Sequence, residues 1–142
     1  MKQDILLGEL LVNCGAVQQK QVDDALALQK ITKRKLGEIM LGLGYVDSQM
    51  LTQKLGDQAG IPFMELQPEI LDKNLIRSFP FMLLYQNNVL PLYEIDDKIH
   101  VAIGDPTNQK GVNELKKLTN KEIVIVCAEP LGIIRLLVKE CY

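Results

Sequence analysis

Two stretches of this chain are copies of one another. Residues 6–29 read LLGELLVNCGAVQQKQVDDALALQ, and residues 35–58 read KLGEIMLGLGYVDSQMLTQKLGDQ. A shift of 29 positions superposes seven identical pairs: Leu7/Leu36, Gly8/Gly37, Glu9/Glu38, Gly15/Gly44, Val17/Val46, Leu26/Leu55 and Gln29/Gln58. Four further pairs exchange one aliphatic residue or Met for another: Leu10/Ile39, Leu11/Met40, Val12/Leu41 and Val22/Leu51. Self-similarity at a fixed spacing means that one supersecondary unit is used twice. Two copies are too few for a solenoid. A tandem pair implies a pseudo-symmetric unit, and with it a ligand or partner that has two similar halves.

Each copy reads as a short helix, a glycine turn and a second helix. Asp4 suits the N-cap of a first helix ending near Asn13, and Gly15 fits the left-handed position after it. A second helix spans about residues 19–30, where Val22, Ala25, Leu26 and Gln29 share one face. The second copy repeats the plan over about 35–43, with Gly44 at the turn and Asp47 or Ser48 capping a helix that stops at Gly60.

The chain beyond Gly60 changes character. Residues 63–66 read as a short strand or extended piece, 68–77 as one or two helical turns and 81–86 as a helix. Residues 89–95 and 98–103 form a hairpin around Asp96-Asp97, with Pro91 placing the first strand at an edge. A helix over 108–119, a β-branched strand over 122–128 and a last helix from Pro130 complete the order. The predicted fold class is α+β. A four-helix tandem-motif subdomain, 1–60, packs on a small α/β subdomain, 61–142, because no Ser/Gly-rich linker separates them.

Composition excludes several functions. A net charge of −2 leaves no electrostatic footprint for DNA or for an anionic membrane surface. No stretch approaches the roughly 18 apolar residues of a membrane span, and the first residues do not read as a signal peptide. Three cysteines without CxxC spacing fit a reduced, cytoplasmic protein. His100 is the single histidine, within an apolar strand, so a metal site is not expected, and the ring is expected to face outward. No P-loop, GxSxG, HExxH or GxGxxG motif is present, and the carboxylates sit at ordinary surface positions, so the chain reads as non-enzymatic.

The repeat holds the functional signal. Gly8 and Gly37 stand near helix starts, where glycine costs about 1 kcal/mol against Ala. Close helix packing explains that, and so does the approach of a ligand to bare backbone. Gln29 and Gln58 end their apolar stripes, where an amide can face solvent or pair with a base edge. The run Lys30, Lys33, Arg34, Lys35 fits either a solvated linker or a phosphate-facing patch.

These residues resemble the MshEN-type module, the N-terminal domain of type II secretion and type IV pilus assembly ATPases. That family's ligand-binding form carries two motifs RLGxxLxxxGxxxxxxLxxxLxxQ separated by five residues, and here both copies are 24 long with residues 30–34 between them. The second half is similar as well: VLPL, AxxDP and ELxxLT correspond to Val89–Leu92, Ala102–Pro106 and Glu114–Thr119. The resemblance implies binding of cyclic di-GMP by Leu7, Gly8, Leu26, Gln29, Lys35, Leu36, Gly37, Leu55 and Gln58, with no cofactor and no metal. It also implies a protein partner in a secretion or pilus apparatus. The alternative is a docking or adaptor domain of that apparatus with a degenerate ligand site. The chain departs from the motif at Leu6, where the family has Arg, and at Lys35, where Lys replaces Arg. Arg offers a planar fork for a guanine edge; Lys keeps a point charge, and Leu keeps neither. The family's ATPases carry this module ahead of a nucleotide-hydrolysing domain, so a chain ending at Tyr142 is expected to be a stand-alone sensor or the regulatory head of a motor.

Overall fold

The two copies of the repeat fold into two helical hairpins, α1 (Lys2–Asn13) with α2 (Gln19–Thr32), and α3 (Leu36–Gly42) with α4 (Ser48–Ala59). The computed structural model describes residues 2–141, and side chains from Leu7 to Cys141. The side chain of Leu6, the departure from the motif, therefore lies outside the described residues, as does Tyr142.

Both hairpins turn by the same device. Gly15 and Gly44 sit in the left-handed region at φ 80° and 76°. The N–H of Ala16 reaches back to Leu11 O at 3.0 Å, and that of Tyr45 to Met40 O at 2.9 Å, which satisfies the last carbonyls of each first helix. Asp47 caps α4 by accepting from Met50 N at 2.7 Å, and at the equivalent position Gln18 N donates to Gln21 Oε1 at 2.8 Å. α1 packs on α4 as α2 packs on α3, which makes the arrangement a pseudo-two-fold. Its buried cluster is built from equivalent pairs, Leu7/Leu36, Leu11/Met40, Val17/Val46 and Val22/Leu51.

The remainder is a three-stranded sheet with short helices around it, so the fold is α+β. β1 (Val89–Ile95) is antiparallel to β2 (Lys98–Ile103), and β3 (Glu122–Cys127) is parallel to β2, in the order β1-β2-β3. Asp96 and Asp97 both take positive φ, which gives the tight turn a right-handed hairpin twist requires. The register shifts between Pro91 and Tyr93, where proline offers no donor, and β1 is an edge as expected. A 3-10 turn at Pro68–Ile70, α5 (Lys73–Arg77) and α6 (Phe81–Asn87) precede the sheet, and α7 (Lys110–Lys116) makes the β2–β3 crossover. α8 (Pro130–Leu136) continues into a π-helical turn at Leu137–Cys141. A second cluster of buried residues, from Ile61 to Cys141, fills this part.

Residues 63–66 form the extended piece, bridged at Phe63 to Cys127, with Cys127 N donating to Pro62 O at 2.9 Å and Met64 N to Cys127 O at 2.8 Å. Two expectations change. The crossover helix starts two residues later and stops three earlier than predicted: Asn108 Oδ1 accepts from Lys110 N at 2.9 Å in a turn ahead of the helix, and Lys117 already ends it. His100 does not point freely outward: its ring stacks on Tyr93 at 4.9 Å, and its Nδ1 is buried.

The two hydrophobic clusters meet where α4 crosses the end of β3. A Cβ on Gly56 would lie 2.6 Å from Cys127 Sγ and 2.8 Å from Ile61 O, so only glycine admits this approach.

Candidate functional site

A groove of about 500 Å³ runs between the second motif and the C-terminal ends of the sheet. Its size falls within the range of roughly 300–1,000 Å³ typical of small-molecule sites. One wall comes from α3 and α4: Gly37, Glu38, Leu41, Ser48, Leu51, Thr52, Leu55 and Gln58, with Lys35 just ahead of α3. Leu7 of α1 closes the floor. The facing wall is Gly104, Asp105 and Thr107, after β2, and Pro130 at the start of α8.

The facing wall is built from local constraints. Gly104 N donates to Asn88 O at 2.9 Å, and its missing side chain admits the Asn88 amide, which a Cβ would meet at 2.8 Å. Asp105 Oδ1 accepts from Thr107 N at 2.9 Å and from Thr107 Oγ1 at 2.5 Å, which fixes the loop in a tight turn. Its other oxygen, Oδ2, lies 3.7 Å from Lys35 Nζ. On the α4 side, Thr52 is buried, and its hydroxyl donates to Ser48 O at 2.9 Å. The charged lining is thus one ammonium and two carboxylates, Lys35 against Asp105 and Glu38, and Glu38 is itself 3.8 Å from Arg34. Behind this wall the Cys127 thiol is pushed up to about 11 by burial.

Five of the nine candidate residues meet in the groove: Leu7, Lys35, Gly37, Leu55 and Gln58. The other four do not line it. Leu36 is fully buried in the helical cluster. Gly8 faces Val22, whose Cγ1 a Cβ would meet at 2.8 Å. Leu26 packs half-buried on the same cluster, and the Gln29 amide donates to Arg34 O at 3.2 Å, tying the end of α2 to the linker. Gly37 packs equivalently against Leu51, 3.2 Å from a notional Cβ, so close helix packing accounts for both glycines, and Gly37 additionally fronts the groove. Of the basic run, only Lys35 lines the groove. Lys33 caps α2 in the left-handed region, and Arg34 faces solvent beside Glu38.

The sequence reading did not select Glu38, Leu41, Ser48, Leu51, Thr52, Gly104, Asp105, Thr107 or Pro130. The identity Glu9/Glu38 was a visible signal, and so was the Gly-Asp-Pro-Thr turn. Nothing in the sequence tied that turn to the repeat. Among the described residues, no group of three or more His, Cys, Asp or Glu could hold a metal ion, and no helix is long and apolar enough to cross a membrane.

Comparison with known proteins agrees with this architecture. The chain is 28% identical over 127 residues to the type IV pilus assembly ATPase PilB of Myxococcus xanthus, an alignment covering 89% of this chain and 22% of that protein. It is 24% identical over 117 residues to bacteriophage adsorption protein B of Escherichia coli, covering 82% of this chain and 16% of that protein. The chain thus spans about a fifth of these relatives. A solved structure of MshE with cdg superposes with a TM-score of 0.78 at 24% identity, covering 94% of this chain and 97% of that one. The N-terminal domain of XpsE superposes at 0.69 with 15% identity, covering 93% and 91%. At these identities the two structures establish the fold. The profile of the MshEN domain matches residues 59–139, the α/β part and not the tandem motifs. On that match, over more than half of its length, the chain belongs to the MshEN domain family.

Proposed function

We propose that this chain is a non-enzymatic, cytoplasmic regulatory module that binds cyclic di-GMP in the groove and passes its occupancy to a protein of a pilus or secretion apparatus. The observation that carries the reading is the convergence of Leu7, Lys35, Gly37, Leu55 and Gln58 on one groove of suitable size. The leucines offer apolar surface to a flat base. Gln58 brings an amide to its edge, and Lys35 offers a charge to a phosphate. The solved MshE structure with cdg, the usual abbreviation of that dinucleotide, and the PilB relatives support the same assignment. The helical part, 1–60, would act as the sensor and the α/β part, 61–142, as its support and relay.

A second reading, a docking domain whose groove is vestigial, is favoured by the pairing of Asp105 with Lys35, which neutralises the cation of the surviving half-motif. Titration calorimetry with cyclic di-GMP separates the two. Saturable heat at one dinucleotide per chain is expected from a sensor. Absence of heat at high micromolar protein sinks the sensor reading and leaves the docking domain.

A further inference from the structure

The helical half is two-fold in plan, but the α/β half covers only one of its two equivalent faces. Gly56 is buried against Cys127, whereas its counterpart 29 positions earlier, Ala27, is exposed. The wall of Gly104, Asp105, Thr107 and Pro130 accordingly stands over the second motif. Lys35, Gly37, Leu55 and Gln58 line the resulting groove, and of their described counterparts Gly8, Leu26 and Gln29 none does. Apart from Leu7, no described residue of the first copy lines that groove; the Gln29 amide is held by Arg34 O, and position 6 carries no charge.

From this asymmetry we propose that the groove is a single-guanine site: it engages one guanosine phosphate half of a ligand and leaves the other half without a floor. The inference rests on the guanine-nucleotide reading above and adds its specificity. In a site with two complete floors, the second half binds as an intramolecular event and raises affinity about 10²–10⁴-fold over one half alone. Here that gain is missing. A mononucleotide or a linear dinucleotide then competes with the cyclic one on nearly equal terms.

The test is calorimetric titration of the full chain with cyclic di-GMP, linear pGpG and GMP, each taken to millimolar concentration. The expected result is dissociation constants that agree within about thirtyfold, below the gain of a two-floor site. Cyclic di-GMP binding tighter than GMP by more than that overturns the single-guanine site and leaves the sensor intact. No binding by any of the three overturns both. The variant Leu6→Arg gives an independent check: it should tighten cyclic di-GMP by about tenfold, one charge-assisted contact, and leave GMP unchanged. Equal tightening of both ligands would place position 6 at the groove and overturn the asymmetry.

Discussion

Lys35 Nζ lies 3.7 Å from Asp105 Oδ2, and the two residues belong to different halves of the molecule. Among the described residues no other ion pair joins the helical part to the α/β part. Both side chains are well exposed, so the pair adds at most about 1 kcal/mol to stability. Its consequence is for binding, since it sets the charge that a phosphate meets. Lys35→Ala should weaken cyclic di-GMP by about one to two decades, the loss of one charge-assisted contact. Lys35→Arg should tighten it, because the guanidinium can serve Asp105 and the ligand together. Titrations give both affinities, and urea unfolding should show both variants close to the parent in stability. An unchanged affinity in Lys35→Ala would remove Lys35 from the site.

The equivalent glycines of the repeat should separate stability from binding. A Cβ at Gly8 meets Val22 Cγ1 at 2.8 Å, and a valine in a helix has one favoured rotamer, so it cannot move aside. A Cβ at Gly37 meets the two methyls of Leu51 at 3.2 Å, and Leu51 borders the open groove into which it can turn. Gly8→Ala should lower stability by about 1–2 kcal/mol, overpacking outweighing the gain in helix propensity. Gly37→Ala should stay within about 0.5 kcal/mol of the parent, because that propensity gain offsets a smaller clash. Binding should reverse the order, with Gly37→Ala impaired and Gly8→Ala normal. Denaturant curves and titrations on the two variants check both halves of the prediction.

What the sequence made legible was local. Gly15 and Gly44, the Asp47 cap and the Asp96-Asp97 turn each impose a conformation on their own few residues, and the repeat doubled the first signals. The second motif's contribution to the groove followed from the same repeat. What stayed hidden was long-range. Asp105 and Pro130 reach the groove from sequence positions far beyond the motifs, through a parallel strand pairing that leaves no periodic trace. Gly56 did carry a signal. It stands in a helix interior where its counterpart is Ala27, a cost of about 1 kcal/mol that only a close approach justifies. That one mismatch in the repeat marks which of the two faces the α/β half covers.

Two of the three thiols should be silent in the native protein. Cys127 and Cys141 are buried, and burial pushes both above the ordinary thiol range, Cys127 to about 11, whereas Cys14 is exposed. Since the thiolate is the reacting species, a bulky thiol reagent at pH 8 should titrate Cys14 quickly and the others only after unfolding. The same shift has a signature in stability. Between about pH 9 and 11 the unfolded chain loses its Cys127 proton while the folded chain keeps it, so stability falls as pH rises through that window. Unfolding curves across the window should show a shallower fall in Cys127→Ala. An identical slope would mean that the thiol ionises as easily in the folded protein as in the unfolded one.

The junction at Gly56 should tolerate substitution poorly. A methyl group there must displace Cys127 Sγ at 2.6 Å and the Ile61 carbonyl at 2.8 Å, and the second of these is backbone that cannot rotate away. Gly56→Ala gains about 1 kcal/mol of helix propensity, yet overpacking costs of about 1–3 kcal/mol should leave it destabilised. The reverse change at the equivalent position, Ala27→Gly, touches nothing and should cost only the propensity difference of about 1 kcal/mol. Because Gly56 joins the two halves, Gly56→Ala should also displace the loop of Asp105 and Thr107 from the second motif and widen the groove. Cyclic di-GMP affinity should fall with it, while Ala27→Gly binds normally. Paired unfolding and titration experiments decide this, and a Gly56→Ala protein as stable and as avid as the parent would show that the two halves are not held together at this contact.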